Sequence, residues 1–239
     1  MIQTFDYHGA AEIPGGASFW TPRGSEDSED GIGAFFRDTW ALGRIARADA
    51  SAVVALEAAL IDLADSIAAS PSGYESIAAA VESGDAEAVP IEVREGPYRD
   101  ALEDAFADDG GALGGLELGV AGLSMVLAAI PGCWPAASCR AHDSESSWAP
   151  HPVVLFACDR FRAEAMVPFA RDHRCGFGID PERPDLLALG ATSGRDLNSL
   201  AGALLAAGPA QFRRPRNAKR GKPATARSEL LDQLYLALG

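Results

Sequence analysis

Lysine is nearly missing from this chain: Lys219 and Lys222 are the only two in 239 residues. Gly190-x3-Gly194, the spaced glycine pair that follows a strand signal, therefore lacks the lysine and the remaining glycines of a phosphate-cradling loop. No CxxC pair occurs, so the common zinc-finger spacings are excluded. The start, Met1-Ile-Gln-Thr-Phe-Asp, has no basic residue leading into an apolar run. No secretory leader is expected, and a cytoplasmic location follows. The longest apolar stretch, Leu113 to Ile130, is broken by Glu117 and four glycines, which argues against a membrane span. With four cysteines in a cytoplasmic chain, disulfides give way to three readings: reduced thiols, a metal site or core packing. No internal repeat is evident.

The chain is rich in apolar residues, at 48%, within the range of ordinary globular proteins. It carries a formal charge of −14, unevenly spread. Residues 1–196 hold 13 arginines against 32 acidic residues, a balance of −19. Residues 197–239 hold seven basic residues against Glu229 and Asp232, a balance of +5. An acidic body repels phosphate, so contact with nucleic acid would have to use the tail.

Periodicity predicts an α/β chain of the α+β kind, in five parts. Residues 1–31 read as a short strand and the acidic loop Ser25 to Asp30. Residues 32–111 read as helical. Phe36 and Trp40 mark one helix over Phe35 to Arg47, and Val53, Leu56, Leu60, Leu63 and Ile67 mark a second, capped by Asp49 or Ser51 and ended before Pro71. A third runs Tyr74 to Glu82, and a fourth starts at Pro97 with Tyr98, Leu102 and Phe106 on one face. Residues 112–209 read as a small mixed sheet with packed helices. Leu113 to Ile130 is expected as a glycine-rich helix. Strands follow at Trp134 to Cys139, Val153 to Cys158, Gly176 to Ile179 and Leu186 to Leu189. The stretch around the second strand has a βαβ pattern. Its helix is capped by Asp159, faces inward with Phe161, Ala165, Val167 and Phe169, and is kinked or cut short by Pro168. Ser193 or Gly194 starts the last helix of the body. Residues 210–227 read as a basic linker, and 228–239 as an amphipathic helix with Leu231, Leu234 and Leu238 on one side.

Seven of the eight cysteine and histidine residues fall between Cys133 and Cys175. Cys133, Cys139, His142 and His151 have ligand types that suit zinc. Cys139 is also the best candidate nucleophile, because Arg140 is adjacent and His142 could serve as its base. The default for these thiols is core packing with no cofactor, zinc being the alternative. Asp159 to Arg162 and Thr192 to Arg195 each place arginine at a helix start, where an anion could sit. Arg213, Arg214, Arg216, Lys219, Arg220, Lys222 and Arg227 can neutralise phosphates without reading sequence, or dock on an acidic surface.

Ser138-Cys-Arg-Ala-His142, with Leu127, Gly132 and Pro152-Val-Val-Leu-Phe156, resembles a pattern in uncharacterised bacterial proteins. In that pattern an S-C-x-G-H turn joins a helix and strand to a second strand; this chain has Ala141 in place of the glycine. The resemblance covers residues 118–192 and implies an α/β fold without a defined activity. With no catalytic constellation complete, the leading expectation is a non-catalytic cytoplasmic accessory protein. It would bind a protein partner through its basic tail and the stripe of Leu231, Leu234 and Leu238. The alternatives are a Cys/His metal-binding protein or cysteine-nucleophile enzyme, and a chain whose tail contacts nucleic acid.

Overall fold

The computed structural model describes residues 3–21, 45–97, 99–106, 113, 115–142, 149–180 and 185–214. The helix expected over Phe35 to Arg47 lies almost wholly outside these residues. So do the acidic loop, the linker beyond Arg214 and the terminal helix. What is described is α+β, helices packed on a four-stranded sheet.

The first helix, α1, spans Arg47–Ile67 and buries Ala50, Glu57, Leu60, Ile61 and Ala64. Its inward face is turned by about one residue from the expected leucine stripe, leaving Leu56 at 38% exposure. Neither Asp49 nor Ser51 caps it; the N-cap is Ala46, without a side-chain bond. Helix α2, Pro71–Ser83, begins where Pro71 fits the first turn and the Ser70 hydroxyl accepts from Gly73 N. It ends at Gly84, in the left-handed conformation that glycine adopts without strain. A 3-10 turn at Ala86–Ala88 and short helices α3, Ile91–Arg94, and α4, Arg99–Ala105, follow.

The helix expected over Leu113 to Ile130 is only half formed. Helix α5 is Ala121–Ala129, and the stretch before it turns through Gly115 and Gly119 at φ +81° and +95°. Gly119 also touches the backbone of Gly194, whose Cα lies 2.8 Å from where a Cβ on Gly119 would sit. The glycines therefore bend the chain and admit a neighbouring backbone, and a continuous helix gives way.

Strands β1, Cys133–Cys139, β2, Val153–Cys158, β3, Cys175–Ile179, and β4, Leu187–Ala191, pair in the order β1-β2-β4-β3. Each adjacent pair is antiparallel. The βαβ pattern is present in split form. Helix α6, Arg160–Asp172, connects β2 to β3, and β4 inserts between them, so no two hydrogen-bonded neighbours are parallel. Pro135 is tolerated because β1 is an edge strand and its register shifts between Pro135 and Ala137. Pro168 does not end α6; it is exposed, and Ala163, Met166 and Ala170 form the fully buried face, with the expected Ala165, Val167 and Phe169 packed partly buried beside it. Helix α7, Gly194–Ala207, is capped by Ser193.

One sheet face packs Val154, Phe156 and Leu189 against Leu123, Leu127, Met166, Leu197 and Leu200 of the helices. Helix α1 joins this core through Ala50, so the helical part and the sheet are packed together. A second cluster joins α1 to α2 through Leu60, Ile61, Tyr74, Ile77 and Val81. The other sheet face, with Val153, Leu155 and Ala157, is covered by connecting segments that include Trp20 and Ala149.

Candidate metal centre

The chain leaves β1 at Cys139, which is 1% exposed, and turns through Arg140 and Ala141 to His142. Ala141 sits at φ +66°, the left-handed region where the S-C-x-G-H pattern has glycine. This turn aims Arg140 back into the body and His142 outward. Opposite stand Glu75 and Glu82 on α2, seven residues apart and so on one helix face, and Glu117 from the turn before α5.

Arg140 is 4% exposed and fully engaged. Its Nε donates to Glu82 Oε1 at 2.6 Å and its Nη1 to Glu75 Oε2 at 2.6 Å. Its backbone N–H donates to Glu117 Oε2 at 2.7 Å. Glu82 Oε1 also accepts from Leu118 N at 2.8 Å. Burial opposes the Arg140 charge, but Glu82 and Glu75 outweigh it and raise its pKa above the ordinary arginine value. Burial raises the Glu82 pKa, against the pull of Arg140. The guanidinium stays charged at any working pH and offsets part of that burial. Two glutamates thus meet the guanidinium, and a third, Glu117, holds the Arg140 backbone N–H beside His142.

His142 is 30% exposed. Its Nε2 lies 2.8 Å from Glu117 Oε1, and its Nδ1 lies 3.8 Å from Glu75 Oε2. One donor atom from each of Glu117, Cys139 and His142 falls within 4.8 Å of the other two. Tetrahedral zinc with bonds of about 2.0–2.3 Å sets its ligand atoms about 3.3–3.8 Å apart. The donor atoms would have to be brought to that spacing from within 4.8 Å of one another. Glu75 is placed where a carboxylate orients the second ring nitrogen of a metal-bound histidine.

The expected four-residue set is therefore corrected. Cys139 and His142 converge, but Cys133 lies at the far end of the same strand, about 20 Å away at the strand rise. Cys133 pairs across the sheet with Cys158, and burial, then Cys158 itself, pushes its thiol well above the ordinary value. His151 packs on Tyr7 with ring centroids 4.4 Å apart, and burial lowers its pKa. Cys175 is pushed up to about 12, by burial first and then by the Asp196 charge. All four cysteines are buried thiols.

Both helix starts proposed for anions are occupied from within. Arg162 donates to Asp159 and to the Pro131 carbonyl, and Arg160 lies over the Phe19 ring. Arg195 pairs with Asp62 and Asp65. Of the basic tail only Arg213 and Arg214 are described, both exposed. The stripe of Leu231, Leu234 and Leu238 lies outside the described residues.

Sequence reasoning passed over Glu117, Glu75 and Glu82 as site residues. The available signal was a single glutamate in the apolar run Leu113 to Ile130. No helix among the described residues is long and apolar enough to cross a membrane. No protein-family profile matches the chain, and no curated protein or solved structure matches it significantly.

Proposed function

We propose that this chain is a metal-holding protein that binds zinc through Glu117, Cys139 and His142. The convergence of these three donor types, from a strand end and two turns, carries the reading. Thiolate, imidazole and carboxylate together suit zinc better than the oxygen-seeking magnesium or calcium. Three glutamates gathered around one arginine suit a cation, and the exposed side of His142 leaves a fourth position for water or a partner's group. The cavity beside Arg140, lined by Gln3, Phe5 and Tyr74, measures about 10 Å³, room for one water. Four buried thiols, two of them facing each other across β1 and β2, support a reducing compartment such as the cytoplasm.

Titration of chelator-treated protein with zinc alone, read by calorimetry, tests this reading. One zinc per chain is expected, with affinity lost in Cys139→Ser and cut in His142→Gln by about 10-fold or more. Wild-type affinity should weaken on acidification, because thiol and imidazole must shed protons to bind. Unchanged binding in both variants would remove these residues from any metal site.

A second reading, the accessory protein, is favoured by where the chain leaves the described body. Phe212 is buried and lines an apolar cavity of about 100 Å³ with Ile130, Leu204 and Leu205. Arg213, the first basic residue of the tail, follows directly, so the tail starts at the edge of an apolar opening suited to protein contact.

A further inference from the structure

We propose that Gln3 to Ala10 form a strap that braces the Glu117, Cys139 and His142 site through Glu75, so that strap docking and zinc binding strengthen each other. The proposal rests on the metal-holding reading and adds its regulation. The strap has no regular secondary structure, yet it is fastened at four points along its length. The Gln3 amide donates to Glu75 Oε1 at 2.8 Å, Phe5 N–H to the Thr192 carbonyl at 2.8 Å, and Phe177 N–H to the Ala10 carbonyl at 2.8 Å. Between these, Tyr7 lies in a notch made by two glycines.

The notch is a product of register. Gly176 and Gly190 are directly opposed on β3 and β4, so the sheet has two missing side chains at one spot. A Cβ on Gly176 would come within 2.5 Å of the Gly9 backbone, and one on Gly190 within 2.9 Å of the Tyr7 and His151 rings. Burial pushes the Tyr7 hydroxyl up to about 12, in keeping with a ring lodged in the fold and not lying loosely on it. The two glycines are what let the backbone of residues 7–9 lie flat on the sheet.

The end of the strap reaches the metal centre through one carboxylate. Glu75 gives Oε1 to Gln3, and Oε2 to Arg140 at 2.6 Å and toward His142 Nδ1 at 3.8 Å. Gln3 and Phe5 also wall the small cavity against Arg140. With the strap docked, Glu75 is held on both oxygens. With the strap released, Glu75 loses one partner and the ring it orients gains freedom. Anything that tightens His142 on zinc must equally favour the docked strap, because coupling between two binding equilibria is reciprocal.

Two measurements on the full chain test this: calorimetric titration with zinc alone, and hydrogen exchange at Phe5 and Phe177. Zinc should slow exchange at both amides in the wild type. Gly176→Ala should speed exchange at both and weaken zinc binding by about 10-fold, the usual size of an effect on a ligand's supporting shell. Tyr7→Ala, which leaves the sheet unchanged, should do the same and guards against misfolding of the glycine variant. Gln3→Ala should weaken zinc binding with Phe177 still protected, which a purely structural strap would not do. Equal zinc affinity in the wild type and all three variants would overturn the coupling and leave the metal centre standing. Absence of zinc binding to the wild type would overturn the metal-holding reading itself, and the coupling with it.

Discussion

Replacing Glu57 should be among the most damaging single changes in this protein, although it lies far from any surface. Its carboxylate is fully buried and accepts from Gly119 N and Ala121 N at 2.8 Å, Gly122 N at 3.0 Å and Asn198 Nδ2 at 2.5 Å. It is the cap of α5, supplied by α1 and steadied by α7, and it joins the three helices at one point. Glu57→Ala strips the Gly119 and Gly122 N–H groups of their acceptor, each worth about 1–3 kcal/mol when left buried and unsatisfied, while Ala121 N keeps the Glu117 carbonyl at 3.2 Å. Asn198 keeps the Val54 carbonyl at 3.1 Å and suffers less. The gross loss is partly offset because a buried charge no longer has to be desolvated, so the expected net cost is about 2–4 kcal/mol. Glu57→Gln keeps the volume but turns an NH₂ toward two of the donors in either orientation, at about 1–3 kcal/mol.

Urea unfolding across pH separates two effects at this residue. Burial is the largest influence on Glu57 and raises its pKa above 4.5, against the four hydrogen bonds. A carboxyl raised in the folded state contributes stability that is whole below its unfolded value. That contribution declines as pH climbs and is gone once pH passes the raised value. Glutamine does not titrate, so the stability gap between wild type and Glu57→Gln should narrow as pH rises from about 4.5 toward neutrality. A gap that widens would show that the donors outweigh burial. A cost under about 1 kcal/mol for Glu57→Ala would refute the capping role altogether.

Arg140→Leu should cost about 3–5 kcal/mol at neutral pH, because it leaves Glu75 and Glu82 facing each other without a cation. The deficit should shrink when urea unfolding is repeated at acid pH, where the carboxylates take up protons; an equal deficit at both would exclude the ion pairs as its source. For the accessory reading, a chain cut after Arg214 should stay folded by circular dichroism, since Phe212 remains in the core, and should lose any protein captured by the full chain. Capture that is equal for both chains would sink the role of the tail. Capture that falls steeply with salt and vanishes after nuclease treatment would replace the protein partner by nucleic acid.

The sequence by itself determined the positions of the four sheet strands to within about two residues, because runs such as Val153 to Cys158 carry their signal locally, whereas the short strand expected in residues 1–31 is irregular backbone over residues 3–10. It also identified the turn after Cys139 as a place where Cys139 and His142 could meet. Tertiary structure alone decided which face of α1 is inward, since the leucine spacing points to Leu56 whereas the capping need of α5 draws Glu57 into the core. It shortened the Leu113 to Ile130 helix, because close backbone contact at Gly119 and Gly194 outweighs local helical periodicity. It also chose the third ligand. Glu117, 25 residues from His142 in the chain, reaches it only once the turn before α5 is folded against the end of β1, and no local spacing encodes that approach. Cys133 was excluded on the same ground, because a straight strand carries its two cysteines to opposite ends of the sheet.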